Sequence, residues 1–391
     1  MANPAAALEE GVTEPSLQPK GIELNDFMFF PSVELDQIYT DNLFAEENNA
    51  NSDWITIVRP AFKLQSRLPQ HAVNLVGSLE AYRHWEYTRD DHENYSLAAD
   101  GRYDLSVNSE LNAQIGTRRY YEDRGSDDDV RGETPTEATA HTLLLGGKTR
   151  LNRFLFGGTA QAARLSFGDV NTSSGVPINN SDRDRWEYTG QVTGGYELVP
   201  GYSAQTAFSA NSRIYDDEFD DFGLQRDSKG WRAEAGLGLD LGQVLRGDLL
   251  VGYMKQYYED DSFADISGPS IRATLNWSPT RMTLIVPSLE RSILETTILG
   301  ASGIVRTAAS LSMRHELQRN LIGYGYVSYY NDDFENISGK SNTFETRWRL
   351  MYALTDNFYT GLQASYRDKE SDFPDGSFKE ATVGVRFGVQ M

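Results

Sequence analysis

Positively charged side chains recur through this sequence on one side of a two-residue alternation. Arg59, Lys63, Arg67, Arg102, Arg118, Lys148, Arg150, Arg213, Arg232, Arg347, Arg349 and Arg386 fall on the polar side of alternating stretches, with Glu80, Asp100, Asp104, Glu187, Glu197, Glu234 and Glu345. Unpaired charges of this kind cannot face dry packing, because desolvating them costs too much. They imply a watery enclosed space. Two chemistries fit: a channel whose charges orient a polar or anionic solute, or internal ion pairs that stiffen a wide wall. Both stand at this point.

Other candidates for chemistry are sparse. His71, His84, His92, His141 and His315 are scattered, and none belongs to a metalloprotease or nucleophile-elbow motif. The cluster Asp90-Asp91-His92-Glu93 is the one place where a rim His stands beside carboxylates, and it reads as a solvated loop. The runs Asp127-Asp128-Asp129 and Asp216-Asp217-Glu218 with Asp220-Asp221 lack the spaced ligands and closing Glu of a calcium loop. They read as solvated or lipopolysaccharide-facing charge. With no cysteine, no disulfide or thiolate metal site can form. A formal charge of -21 speaks against nucleic acid as a partner. No cofactor, metal or enzymatic site is expected.

The elements that hold these residues are strands. In Ser96 to Leu105, one face is Leu97, Ala99, Gly101, Tyr103 and Leu105, against Ser96, Ala98, Asp100, Arg102 and Asp104. The same split recurs over Trp231 to Leu241, Phe344 to Tyr352 and Ala381 to Gln390, which is the signature of strands with unlike faces. Tight turns lie at Leu68 to His71, Val199 to Tyr202, Ser278 to Arg281, Gln318 to Asn320 and Leu354 to Asn357. Longer acidic links fall between them: Asp41 to Asp53, Asp123 to Glu137, Asp169 to Asp184, Asp216 to Asp227, Asn331 to Lys340 and Asp368 to Gly376. Aromatic couples such as Tyr120-Tyr121, Tyr257-Tyr258 and Tyr329-Tyr330, with Trp85-Glu86-Tyr87, mark strand ends as an interfacial girdle would.

This short-long rhythm predicts an all-β fold: a closed antiparallel transmembrane β-barrel of about eighteen strands, with short periplasmic turns and long acidic extracellular loops. Residues 1–25 carry Pro4, Pro15 and Pro19 without alternation and read as a flexible periplasmic leader, and residues 26–391 as the barrel. No apolar signal core follows Met1, so the expectation is that a signal peptide has been removed. A soluble sandwich or propeller also alternates polar and apolar residues, but no four-strand blade repeat is present.

Several stretches resemble the second putative β-barrel porin family of proteobacterial outer-membrane proteins. They are Phe30-Pro31-Ser32 with Tyr39, Asp41, Asn42 and Leu43; Ile178 to Asp184; Leu299-Gly300-Ala301-Ser302-Gly303; and His315 to Leu321. The resemblance runs from about Gly21 to the C-terminus and implies an outer-membrane conduit associated with exopolysaccharide production and export. The last residue is Met391, a departure from the usual aromatic ending, so insertion would rest on the Val385, Phe387, Val389 alternation. The expected partners are outer-membrane lipid and lipopolysaccharide, an anionic polysaccharide drawn by the lumen arginines, and a periplasmic export partner or a homo-oligomer. A general diffusion porin and a plugged, non-conducting barrel remain the alternatives.

Overall fold

A computed structural model describes residues 19–296 and 298–391. Its wall is one ring of antiparallel strands, here numbered in chain order. The first six are β1 (Phe27–Thr40), β2 (Asp53–Ser66), β3 (Ala72–His84), β4 (His92–Ser106), β5 (Ser109–Tyr121) and β6 (Glu137–Leu151). Next come β7 (Phe154–Phe167), β8 (Arg185–Val199), β9 (Tyr202–Tyr215), β10 (Ser228–Asp240), β11 (Leu245–Tyr258) and β12 (Ile266–Thr280). The ring is completed by β13 (Thr283–Leu294), β14 (Gly303–Gln318), β15 (Leu321–Glu335), β16 (Lys340–Ala353), β17 (Phe358–Ser371) and β18 (Phe378–Gln390). Each strand pairs with its neighbours in sequence, and β18 returns to pair with β1 from Ser32↔Gln390 to Thr40↔Thr382. Closure leaves no open edge, which is what allows a sheet to satisfy its backbone inside a membrane.

The predicted eighteen-strand barrel is therefore the fold. Tight connections such as Asn152-Arg153, Pro200-Gly201 and Arg319-Asn320 gather at one end, with Phe27 and Gln390. Long ones, including 122–136 and 168–184, gather at the other. Two predicted links are shorter than the sequence suggested: β15 runs on to Glu335 and β17 to Ser371, leaving only 336–339 and 372–377. The turn predicted at Ser278 to Arg281 falls at Arg281-Met282, after an irregular register between Trp277 and Thr280. Of the predicted leader, residues 1–18 lie outside the described residues, and Ile22–Leu24 folds back as a short strand on the start of β1.

The distribution of polarity is inverted relative to a water-soluble protein. Ile115, Val192 and Leu362 are about 60% exposed on the outside of the wall, whereas Asp36 and Asp332 on the inside are 0% and 1% exposed. Pairing register explains this, since residues facing each other across a ladder share a side and the period of two carries that side around the ring. A strand of 14 residues such as β1 is roughly 45 Å long at ~3.3 Å per residue. About 9–11 tilted residues cross a bilayer, so the wall extends beyond the lipid.

Outside the wall, Tyr39 and Trp54 pack at 5.3 Å near the long-loop end, and Phe154 and Tyr196 at 5.1 Å near the short-turn end. The aromatic couples at strand ends do not all join this girdle. Consecutive strand residues must point to opposite faces, so Tyr257 and Tyr329 face out while Tyr120, Tyr258 and Tyr330 face in. Tyr330 donates its hydroxyl to Glu345 at 2.7 Å.

Candidate functional site

The site is the enclosed interior. Register sets Arg59, Lys63, Arg102, Arg118, Lys148, Arg150, Arg213, Arg232, Arg347, Arg349 and Arg386 on the same inner face. They do not gather at one point but are spread around the ring, and most meet a carboxylate from the same or an adjoining strand. Arg59 pairs with Asp36 and, at 2.8 Å, with Glu80. Arg102 meets Asp104 at 3.0 Å, Lys148 meets Glu110 at 3.0 Å, and Arg150 pairs with Glu197. Arg347 meets Glu345 at 2.5 Å, while Arg232 lies between Glu234 at 4.0 Å and Glu290 at 3.9 Å. Arg213 reaches past the wall to Glu295 in the β13–β14 loop. Arg118 stacks its guanidinium 4.4 Å over the Tyr120 ring. Arg349 lies across from Tyr324, and Lys63 forms no ion pair among the described residues.

The tightest group sits at the closure of the barrel. Asp36 on β1 accepts two hydrogen bonds from Arg386 on β18, at 2.7 and 2.8 Å, and Arg386 also reaches Glu34 at 2.9 Å. Arg59 completes the arrangement from β2. A bidentate guanidinium–carboxylate fork has strict geometry as well as strength, so it fixes the register in which the first and last strands meet.

A loop then narrows the space. The β5–β6 connection, 122–136, spans the long-loop mouth and fastens to the opposite side of the ring. Asp127 receives Lys369 Nζ of β17 at 2.7 Å, Arg306 of β14 at 3.1 Å and the Ser341 hydroxyl of β16 at 3.1 Å. Lys369 also donates to the Gly125 carbonyl at 2.9 Å, and Arg367 to that of Arg124 at 3.3 Å. Gly125 is required there: its φ is +72°, and a Cβ would stand 2.6 Å from both Ala45 and Phe378. Burial works to raise the Asp127 carboxyl, but Lys369 and Arg306 outweigh it and hold the group below its ordinary range. Beneath the loop lies a cavity of about 380 Å³ lined by Asp127, Glu290, Tyr326 and Arg347 among others.

These contacts correct two expectations. Asp127 is not solvated charge: its side chain is 12% exposed and fully engaged. The Asp90 to Glu93 segment is not a free loop either, since Asp90 holds Arg124 of the spanning loop at 3.1 Å and His92 stacks on Tyr82 at 4.4 Å. Sequence reasoning missed Arg272, Arg306, Arg367 and Lys369, although all share the inner-face parity of their strands. For Asp127 and Glu295 no sequence signal existed, because their partners are remote in the chain.

A closed wall of strands with lipid-facing apolar residues outside and charge inside defines a porin-like outer-membrane barrel. The family model of the Putative beta-barrel porin 2 family matches residues 14–391, and the chain belongs to that family. Among curated proteins none matches in sequence. In structure the chain is similar to OccK1 (OpdK) of Pseudomonas aeruginosa, at 12% identity over 93% of this chain and 99% of that one, with a TM-score of 0.48. It is also similar to OccK3 (OpdO) of the same organism, at 13% identity over 93% and 96%, with a TM-score of 0.44. The P. aeruginosa ferric enterobactin receptor PfeA aligns at 7% identity over 93% and 80%, with a TM-score of 0.47. Membership of this porin family points to a bacterial outer-membrane protein.

Proposed function

We propose that the chain is a passive, non-enzymatic channel of the outer membrane, long loops outward and short turns toward the periplasm, that admits hydroxyl-rich solutes of saccharide chemistry. The observation that carries this is the matching of the inner charges. Arg59, Arg102, Lys148, Arg150, Arg347 and Arg386 each already hold a carboxylate. Such a wall has no ladder of one sign along which an ion would be drawn. It does present paired donors and acceptors, which hydroxyl groups can join without displacing a counter-charge.

The finer reading is export of a polysaccharide, the setting that the family resemblance implies. An uncharged chain suits it better than a polyuronate, which would have to compete with the carboxylates already bound to each arginine. Lipid and lipopolysaccharide would then be the constant neighbours of the outer face, and a periplasmic export protein or further copies of the chain its assembly partners. A second reading, a barrel closed at rest, is favoured by the loop that Asp127 fastens across the mouth.

Reconstitution tests the proposal. Liposomes carrying the protein should swell in neutral sugars at rates that fall with sugar size. Planar bilayers should show conductance with a reversal potential near zero in a salt gradient, blocked by neutral oligosaccharide. Silent bilayers together with absent swelling, or strong anion selectivity, would overturn it.

A further inference from the structure

The lipid side of the wall is not evenly filled. A groove of about 340 Å³ lies on it between β14 and β17, lined by Met313, His315, Leu317, Trp348, Leu350 and Leu362 around a floor of glycine. That floor belongs to β15, where Gly323 pairs with His315 and Leu350, and Gly325 with Met313 and Trp348. Leu317 and Trp348, both 52% exposed, stand as the walls. Trp348 leans over Gly325, since a Cβ there would lie 2.8 Å from its ring, and so closes the deep end. At Gly323 the floor is open, the nearest atom to an added Cβ being 3.7 Å away.

Toward the short-turn end the groove changes character. His315 Nδ1 shares a hydrogen bond with Thr283 Oγ1 at 2.9 Å, and Thr283 shares one with Thr280 at 2.8 Å. His315 Nε2 has no partner among the described residues. Beyond this polar row two turns lie side by side. The Glu316 N–H donates to the Met282 carbonyl at 2.9 Å, which sets the Arg281-Met282 turn against the end of β14, where the Arg319-Asn320 turn begins. Arg281 and Arg319 are exposed, and neither forms an ion pair or side-chain hydrogen bond among the described residues. Elsewhere on this rim Arg67 holds Glu23 at 2.9 Å, Arg246 holds Asp240 at 2.9 Å and Lys20 holds Asp356 at 3.0 Å. Glu316, between the two turns, is taken by Arg314 at 3.0 Å.

An apolar trough that ends in unpaired positive charge at the membrane surface has the polarity of a phospholipid. We propose that it seats one anionic phospholipid of phosphatidylglycerol type. Its phosphodiester would meet Arg281 and Arg319, an ester or glycerol oxygen would accept from His315, and one acyl chain would lie over Gly323.

Two features distinguish this from lipid that merely coats the wall. The strands flanking β15 are about 10 Å apart at ~4.8 Å per strand, and the side chains rising from them narrow the trough to a single hydrocarbon chain. Each basic group at a membrane surface favours anionic lipid by about fivefold. A second barrel would instead rest on Leu317 and Trp348 and leave the floor empty, forfeiting the contacts that make packing favourable. The inference rests on the orientation proposed above, which places the short turns at the phospholipid leaflet facing the periplasm.

Native mass spectrometry of the full chain in detergent tests it, with phosphatidylglycerol and phosphatidylethanolamine of the same acyl chains as probes. One phosphatidylglycerol should stay bound, at least tenfold more tightly than phosphatidylethanolamine. Arg281→Gln combined with Arg319→Gln, at exposed turn positions, should weaken phosphatidylglycerol at least tenfold, as two cations at about fivefold each require, and change phosphatidylethanolamine little. Gly323→Leu, which fills the trough, should weaken both lipids while heat-modified gel migration shows the barrel intact. Equal retention of the two lipids, undiminished phosphatidylglycerol binding by the double variant or by intact Gly323→Leu, or a lipid-free dimer as the main species would overturn the inference. Normal liposome swelling in neutral sugars with unselective lipid binding sinks this inference alone, whereas selective lipid binding without any swelling sinks the channel reading and leaves the site.

Discussion

Asp127→Asn isolates the fastening of the spanning loop. Asparagine keeps the shape and the contact with Ser341 but removes the charge that Lys369 and Arg306 share. Arg306 retains Asp332, at 2.6 and 2.7 Å, so only Lys369, 7% exposed, is left without a counter-charge. Stranding one member of a buried ion pair costs about 3–5 kcal/mol, and a single stranded lysine with a carbonyl acceptor nearby belongs at the low end. About 3 kcal/mol is on the order of a hundredfold change in the balance between fastened and released loop. A released state occupied roughly 0.1% of the time, the lower bound for a typical minor state, would then be occupied about 10% of the time. Single-channel recording reads this directly, as a new larger conductance level with that dwell fraction, and heat-modified gel migration confirms that the barrel is intact. An intact variant with the conductance levels and dwell times of the parent would refute the assignment of Asp127 as the fastening.

Four further outcomes follow from the same geometry. Because the chain has no cysteine, Asp127→Cys with Ser341→Cys should form a single disulfide that abolishes the large conductance level until reductant is added; a bond with no effect on the traces would count against a moving loop. The Asp127 carboxyl lies below its ordinary range, so its stabilising contribution is complete above pH ~4, where free carboxylates ionise, and is lost only as pH falls through the lowered value; parental traces should stay constant from pH 7 down to about 4 and grow noisy only below that. Val192→Arg, on the lipid side, should cost about 2–4 kcal/mol in urea unfolding from vesicles if it lies near mid-membrane, while Gln191→Arg one residue earlier on the inner face should change stability by no more than about 0.5 kcal/mol; equal costs would contradict the assigned faces. Asp36→Ala removes the bidentate partner of Arg386, which keeps Glu34 at 2.9 Å while Arg59 keeps Glu80, so it should cost no more than about 3 kcal/mol, read as a lower temperature of gel-shift unfolding.

Strand faces were legible because the period of two is local: Leu97 and Arg102 declare their sides from neighbours within a few residues. Strand ends were less so. Asp332 and Asp333 look like loop in the sequence, yet Asp332 continues β15 because Arg306 on β14 meets it inside the wall. A polar interior makes the last turns of a strand resemble a link. The fastening of the mouth was not legible at all, since Asp127 meets Arg306 and Ser341 across 179 and 214 residues. No local pattern records a contact that exists only once the ring has closed. The pairing of most inner cations was likewise hidden, because it depends on the relative stagger of strands that alternation leaves open.

The Asp36–Arg386 fork joins a residue near the start of the chain to one five positions from its end. Until the final strand arrives, Asp36 holds only Arg59 and remains a partly uncompensated anion in the wall. Arg386, lacking Asp36 and Glu34, is in the same condition. A half-built sheet thus carries an electrostatic debt at both free margins that only their union discharges. That makes completion of the ring favour an all-or-none step, and it means that a nascent chain clipped just before Arg386 would present the assembly apparatus with an open sheet unable to hide its charge.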